Sequence, residues 1–319
     1  MLSMVKEHKR MRCVILFRTH TWDDFVLRQY EKVRDSSPFE VVILANNTDG
    51  MCPPIEGLPF VTFEFADFEK MGLASGIKGD STWYNADYPL YYYAKKFPDY
   101  DYYIIWEYDV VVRQNIEALM ERVVSQGHDV VAQRVDDPFH DCDYIYSIDG
   151  VYSPNLVEKT YFPLAVFSKK AIDELFARRL HLSRRLLSGE IKFWPHAELF
   201  MGTELRASQL SVAQFSSYGA AKFLSHYPPI FEEDLLGIWQ EQFVHPVLDA
   251  KRYVESVIRY EGRPERYLNP TSSFHKTLRR FPFSLYKQSL FRAFQKRFIK
   301  VSGICRKKIM SIFERKGGL

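Results

Sequence analysis

Short apolar runs alternate with polar, helix-compatible stretches through the first 135 residues. Arg12 to Phe17 reads Arg-Cys-Val-Ile-Leu-Phe and predicts a strand; Thr21, Trp22, Asp23 and Asp24 then supply helix-start chemistry for a stretch to about Arg34. Phe39 to Ala45 is a second apolar run, ended by Asn46-Asn-Thr-Asp-Gly50, and Phe60 to Phe65 is a third. Strand, helix, strand, loop, strand is the opening of a mostly parallel sheet. After a loop holding Gly72, Gly76 and Gly79, Ala86 to Phe97 predicts a helix and Tyr102 to Trp106 a fourth strand, which runs directly into Glu107-Tyr108-Asp109. Asn115 to Val124 has helical periodicity, and Asp129 to Ala132 is a fifth strand.

The second half is less regular. Tyr161 to Phe167 predicts a strand, Ser168 to Arg179 a helix with Ser168 as its N-cap, and His196 to Ala207 a helix starting just past Pro195. A short strand over Ser211 to Phe215 follows, and Tyr227 to Asp249, with its prolines and mixed pattern, predicts loops. No internal repeat or low-complexity tract interrupts this order.

With 319 residues and 46% apolar content, the chain can bury a full core. The net charge of +3 hides a segregation: from Lys276 onward there are 13 Lys/Arg against one acid, Glu314, so the preceding body is acidic by nine charges. Cys13, Cys52, Cys142 and Cys305 are scattered, with no metal-ligand spacing, which reads as a reducing, cytoplasmic compartment. The apolar run Cys13 to Phe17 is too short for a signal segment or a membrane span, so contact with a membrane is expected from the side.

The strongest candidate chemistry is Glu107-Tyr108-Asp109. Ligands of open α/β sheets bind at strand carboxyl ends. Residues two apart in extended backbone point the same way, so both carboxylates can face one ligand while Tyr108 turns aside. Such oxygen ligands suit Mg²⁺ or Mn²⁺ bridging to phosphate. A solvated strand rim is the plainer alternative. Against it, the acids interrupt a run between Tyr103-Ile-Ile-Trp106 and Val110-Val-Val112, where unpaired burial would be costly.

This arrangement resembles GT-A glycosyltransferases, in which a strand delivers an Asp-x-Asp-type motif to the metal and the nucleotide-sugar diphosphate. Glu107 matches the first acid and Asp109 the second. Because the first position departs from the commoner Asp, it stays open which carboxylate meets metal and which meets ribose or donor sugar. The resemblance spans roughly residues 12 to 250. It implies a GT-A-like, Rossmann-like α/β domain over 1–270: a mixed, mostly parallel sheet flanked by helices, with a nucleotide-binding half over about 12–135 and an acceptor half over about 136–270. Residues 271–319 form a basic helical tail. Implied with it are Mn²⁺ or Mg²⁺, a nucleotide-sugar donor, and a saccharide or glycolipid acceptor of the bacterial surface-polysaccharide kind.

The resemblance also places nucleotide-gripping residues after the first two strands. Arg18, Thr19 and His20 match the first set, with Arg18 toward phosphate; Asn46, Asn47 and Asp49 match the second, with Asn46 or Asp49 toward base or ribose. Ordinary loop and cap roles stand beside each. His245, in Phe243-Val-His-Pro-Val247, matches a late histidine that serves as a further metal or diphosphate ligand, against the alternative of a surface histidine before a turn. Glu198 matches the position of a carboxylate base for the acceptor hydroxyl, catalytic together with Asp109, and Glu204 ranks behind it. A helix-start acid favoured by the macrodipole is the other reading of Glu198. In Trp83-Tyr-Asn-Ala-Asp87, Asn85 or Asp87 can meet a donor hydroxyl, whereas the tyrosines around them read first as core filler. Whether the product is inverted depends on whether Glu198 takes the proton.

Two other classes fit the sequence less well. A GT-A-like nucleotidyltransferase should carry a Gly-rich loop after the first strand, and Phe17-Arg-Thr-His-Thr-Trp22 has no glycine. Neither G-x-G-x-x-G after that strand nor a P-loop occurs. A noncatalytic nucleic-acid binder would have to use the tail alone, because the body is acidic and carries no nucleic-acid motif, so no nucleic-acid partner is expected. In the tail, Leu290, Phe294, Phe298, Val301, Ile309 and Ile312 fit one helical face, with Cys305 in the gap, and Arg292, Lys296, Lys300, Arg306 and Lys307 fall largely opposite. This predicts contact with an anionic membrane surface, peripheral on the inner face of the cytoplasmic membrane. A helix packed on the catalytic domain is the competing reading, and Gly303 interrupts the stripe.

Overall fold

Runs of consecutive apolar residues build a seven-stranded sheet covered on both faces, as seen in a computed structural model that describes residues 11–48, 50, 55–74, 81–139 and 142–316, with side chains as far as residue 302. Its first strands are β1 (Cys13–Thr19), β2 (Glu40–Asn46), β3 (Phe60–Phe63) and β4 (Tyr102–Glu107). The short β5 (Val111–Val112) leaves for a second sheet, and β6 (Val130–Val135), β7 (Lys159–Ser168) and β8 (Val212–Ala213) complete the first. The order is β3-β2-β1-β4-β7-β6-β8. All pairs are parallel except those that β7 makes with β4 and β6. The chain winds outward from β1 through β2 to β3, then returns to β4 on the other side of β1. Strand order therefore reverses between β1 and β4, and their carboxyl ends frame the crevice where such sheets bind ligands.

Helices α1 (Asp24–Ser36), α2 (Phe65–Lys70), α3 (Ser81–Tyr84), α4 (Tyr88–Lys96), α5 (Ile116–Ser125), α6 (Lys169–Leu187) and α7 (Ala197–Ala207) follow in chain order. Strand alternation sorts the core into two layers. Ile15, Phe17, Ile43, Ile104 and Trp106 pack with Val26 and Tyr30 of α1 and with Met120 of α5. Leu16, Leu44, Tyr103 and Ile105 pack with Tyr88 and Tyr91 of α4, Leu175 of α6 and Phe200 of α7. The N-caps are those the side chains favour: Asp23 accepts from the amides of Phe25 and Val26, both at 3.1 Å, and Ser168 from that of Ala171 at 3.1 Å.

The chain divides into two compact units, Met1–Leu224 with Gln240–Val244, and Ser225–Trp239 with His245–Leu319. This division lies earlier in the chain than the boundary expected near residue 270. Four short strands fall around it: β9 (Phe223–Leu224), β10 (Ile230–Phe231), β11 (Phe243–His245) and β12 (Val247–Leu248). β11 joins β5 and β9 in a three-stranded sheet, while β10 pairs with β12. In the second unit, α8 (Ala250–Tyr260), α9 (Ser273–Leu278) and the long α10 (Phe283–Lys316) share a core of Val254, Ile258, Phe274, Leu278, Tyr286 and Leu290.

Several elements differ from the sequence pattern. The Ala86–Phe97 helix starts only at Tyr88, because Asn85 and Asp87 form a turn and Pro89 sits at the helix start. Beyond Phe63 the chain turns into α2, closed by a capping box in which the side chains of Glu64 and Asp67 each reach the other's backbone. The stretch over Tyr227 to Asp249, expected as loops, holds β10 to β12 and a 3₁₀ turn at Glu232–Ile238. The strand expected at Ser211 to Phe215 shrinks to β8. Where α7 crosses the start of β7 the two run very close: a Cβ on Gly202 would lie 2.4 Å from the carbonyl oxygen of Glu158, immediately before β7.

Candidate functional site

The register of β1 against β4 sets Arg18 directly beside Glu107, at the carboxyl ends of the two strands that flank the reversal. The guanidinium closes on Glu107 through Nη2 and donates to the carbonyl of Ala86 at 2.7 Å through Nη1. A tight turn follows, with the Val110 amide on the Glu107 carbonyl at 3.0 Å. Asp109 lies inside that turn. Tyr108 faces the α1 layer, edge-on to Phe25 at 6.3 Å and to His20 at 5.5 Å, which is the alternation the triplet requires.

The turn leads into β5, whose Val111 and Val112 pair with Val244 and Phe243 of β11. The next residue of β11 is His245, so the pairing of its own strand delivers it to the acids. Glu107, Asp109 and His245 each offer one ligand atom, all within 4.8 Å of one another. His245 donates from Nδ1 to the Ser225 carbonyl at 2.8 Å, which puts the imidazole lone pair on Nε2. Two carboxylate oxygens and a neutral imidazole are a donor set that fits a divalent cation.

The other residues expected on the nucleotide behave differently. Arg18 is engaged with Glu107 and with the Ala86 carbonyl. Thr19 is buried, its hydroxyl closing a local turn onto the Thr21 carbonyl at 2.5 Å. Asn46 ends β2, donates to Thr82 Oγ1 at 3.1 Å and accepts from the Thr48 amide at 3.0 Å. Asp49 lies outside the described residues. Asn85 and Asp87, expected to face a donor hydroxyl, are instead fully enclosed. Asn85 Oδ1 accepts from the Trp194 indole at 2.7 Å, and Asp87 takes a bidentate pair from Arg179 at 2.7 and 3.0 Å. Buried partners replace water for both.

Glu198 opens α7 in a polar cluster of its own. Lys159 Nζ lies 3.3 Å from Glu198 Oε2, and the Tyr144 hydroxyl donates to the same oxygen. Burial first, and the Glu198 charge second, push the Tyr144 phenol far up, so it stays a donor. His196 caps α7 by accepting the Glu198 amide on Nδ1 at 3.2 Å. Its ring stacks on Tyr144 at 3.7 Å and meets Trp83 edge-on at 4.7 Å. Burial, and after it the charges of Arg179 and Lys159, lower the His196 pKa to about 3, so the ring is neutral. Glu204, the second-ranked acid, is held by Tyr152 at 2.7 Å and Arg178 at 2.6 Å.

Sequence reasoning missed Arg179, Lys159 and Tyr144. For Arg179 a signal existed, because it sits in the apolar stripe Ile172, Leu175, Arg179, Leu182 of α6, and a cation there needs an internal anion. Lys159 and Tyr144 lie in a stretch without periodicity, and nothing in the sequence ties them to Glu198.

No family model matches the sequence, and no curated protein matches it. Among solved structures the chain is similar to the galactosyltransferase LgtC in complex with donor and acceptor sugar analogs, at 11% identity and a TM-score of 0.40 over 72% of this chain and 78% of that one. An active-site mutant of LgtC aligns with a TM-score of 0.39, also at 11% identity, with the same shares. Mouse xyloside xylosyltransferase 1, apo form, aligns at 12% identity and a TM-score of 0.37, over 64% of this chain and 84% of that one. These likenesses concern the chain trace and say nothing of substrate.

Proposed function

We propose that this protein is a divalent-metal-dependent glycosyltransferase that moves a sugar from a nucleotide-sugar donor to a saccharide or lipid-linked saccharide acceptor. The observation that carries the reading is the convergence of Glu107, Asp109 and His245 where strand order reverses. A cation held by these three residues would supply charge against that building on the departing nucleoside diphosphate. Arg18 fixes the direction of Glu107, so that one of its oxygens is committed before any ligand arrives.

Glu198 takes the proton of the acceptor hydroxyl in this reading. Lys159 and Tyr144 meet the same oxygen and hold the carboxylate in one orientation. Proton removal by Glu198 during attack on the anomeric carbon gives an inverted product.

A thermal-shift screen of nucleotide sugars with and without Mn²⁺ tests the class and names the donor. A stabilising donor that needs the metal, and loses its effect in Asp109→Ala, is the expected result. Full donor binding and turnover in Asp109→Ala would remove the site assignment.

A further inference from the structure

We propose that the solvent-facing side of α10 docks the protein on an anionic lipid surface. The apolar stripe read from the sequence is divided by the fold. Leu290 is buried and Phe294 packs beside it on the core of the second unit, so neither is available to a partner. A different set faces outward: Phe291, Phe298 and Ile299 are 63%, 75% and 69% exposed. Spacings of seven and eight put these three on one side of the helix.

Cations border that strip. At 100° per residue Lys287 falls along one edge and Arg292 and Lys296 along the other, and all three are exposed. None of them has an ion-pair partner among the described residues, whereas Arg297, turned inward, pairs with Glu265 at 3.3 Å. From Lys276 onward the chain carries 13 cations and one acid. Large apolar side chains edged by lysine and arginine match the boundary between headgroups and acyl chains, where the rings insert and the long cationic stems reach back to phosphate. Among the described residues no helix is long and apolar enough to cross a membrane, so this contact lies along the surface.

Other occupants fit less well. Nucleic acid would satisfy the charge but leave three large apolar side chains in water. A second copy of the same face would set cation against cation. The proposal is independent of the transfer reading, because binding to a bilayer requires neither donor nor metal.

The test is flotation of the full chain with vesicles of pure phosphatidylcholine and of an equimolar phosphatidylcholine–phosphatidylglycerol mixture, for wild type and Phe291→Ser/Phe298→Ser. Wild type is expected to float with the anionic vesicles, less with the neutral ones, and to be released by salt. The double variant should lose roughly tenfold or more in partitioning, with an unchanged thermal midpoint because both rings are outside the core. Wild type left behind by both vesicles, or a double variant that floats as well as wild type, overturns the proposal. So does self-association without lipid that the same substitutions abolish, which would give the face to a second copy. Variants Lys287→Gln, Arg292→Gln and Lys296→Gln must weaken anionic binding; equal binding would remove the charge half of the argument.

Discussion

Arg179 and Asp87 form a bidentate ion pair with both side chains wholly shut off from solvent. The third nitrogen of the guanidinium donates to the Pro195 carbonyl at 3.0 Å, and its Cζ lies 3.8 Å from the Phe200 ring centroid. One cation thus ties the turn before α4 to the start of α7. Ala86 in that turn receives Arg18, the partner of Glu107, and α7 begins with Glu198.

Arg179→Met leaves the Asp87 carboxylate buried without its cation. A loss of about 3–5 kcal/mol is expected, read by urea unfolding, against a smaller loss when Asp87→Leu is added to the same chain. A single variant as stable as wild type would mean that the pair is not what closes this part of the core.

His245→Ala and Asp109→Asn each remove one ligand of the proposed cation site. Calorimetric titration with Mn²⁺ should show affinity reduced roughly tenfold or more in each, with little change in unfolding midpoint without metal. Arg18→Gln is expected to weaken binding less, because it loosens Glu107 without removing a ligand.

Glu198→Gln keeps the shape of the cluster and removes the proposed base. Turnover should fall roughly 10²–10⁴-fold while the donor-induced thermal shift persists. Donor binding lost together with turnover would assign Glu198 to the donor instead.

His196 gives a pH signature. Its pKa of about 3 in the folded state lies below the ordinary 6.5, so the unfolded chain binds the extra proton. Stability is therefore complete above pH 6.5 and declines as pH falls toward 3, by about 1.4 kcal/mol per unit. His196→Asn can still cap α7 but does not titrate, so its stability curve should be flatter between pH 6.5 and about 5, above most carboxylate titration.

How much was legible follows from which interactions are local. The buried parallel strands announced themselves as unbroken apolar runs, and Glu107 and Asp109 stood out because they end one. His245 is a candidate through the resemblance alone, and its approach to the acids depends on β5 pairing with β11, which so short a strand does not reveal. Asn85 and Asp87 were misplaced for a physical reason: a polar residue near a site looks the same in sequence whether its partner is a ligand or a buried Arg179 some ninety residues away. The tail was legible as amphipathic, but the choice of face was made by α8 and α9, which take Leu290 for the core.

Gly202 gives the Glu198 cluster a vulnerability that no charged residue in it shares. With backbone atoms of Glu158 and Lys159 at 2.4 to 2.8 Å from any Cβ placed there, even alanine must push α7 away from β7. Lys159, whose amide is part of that contact, is anchored on the strand, and Glu198 lies one turn before Gly202 on the helix. The reach of the lysine to the carboxylate is accordingly gauged by the thickness of a single hydrogen atom, and a methyl group would change that reach without touching either side chain.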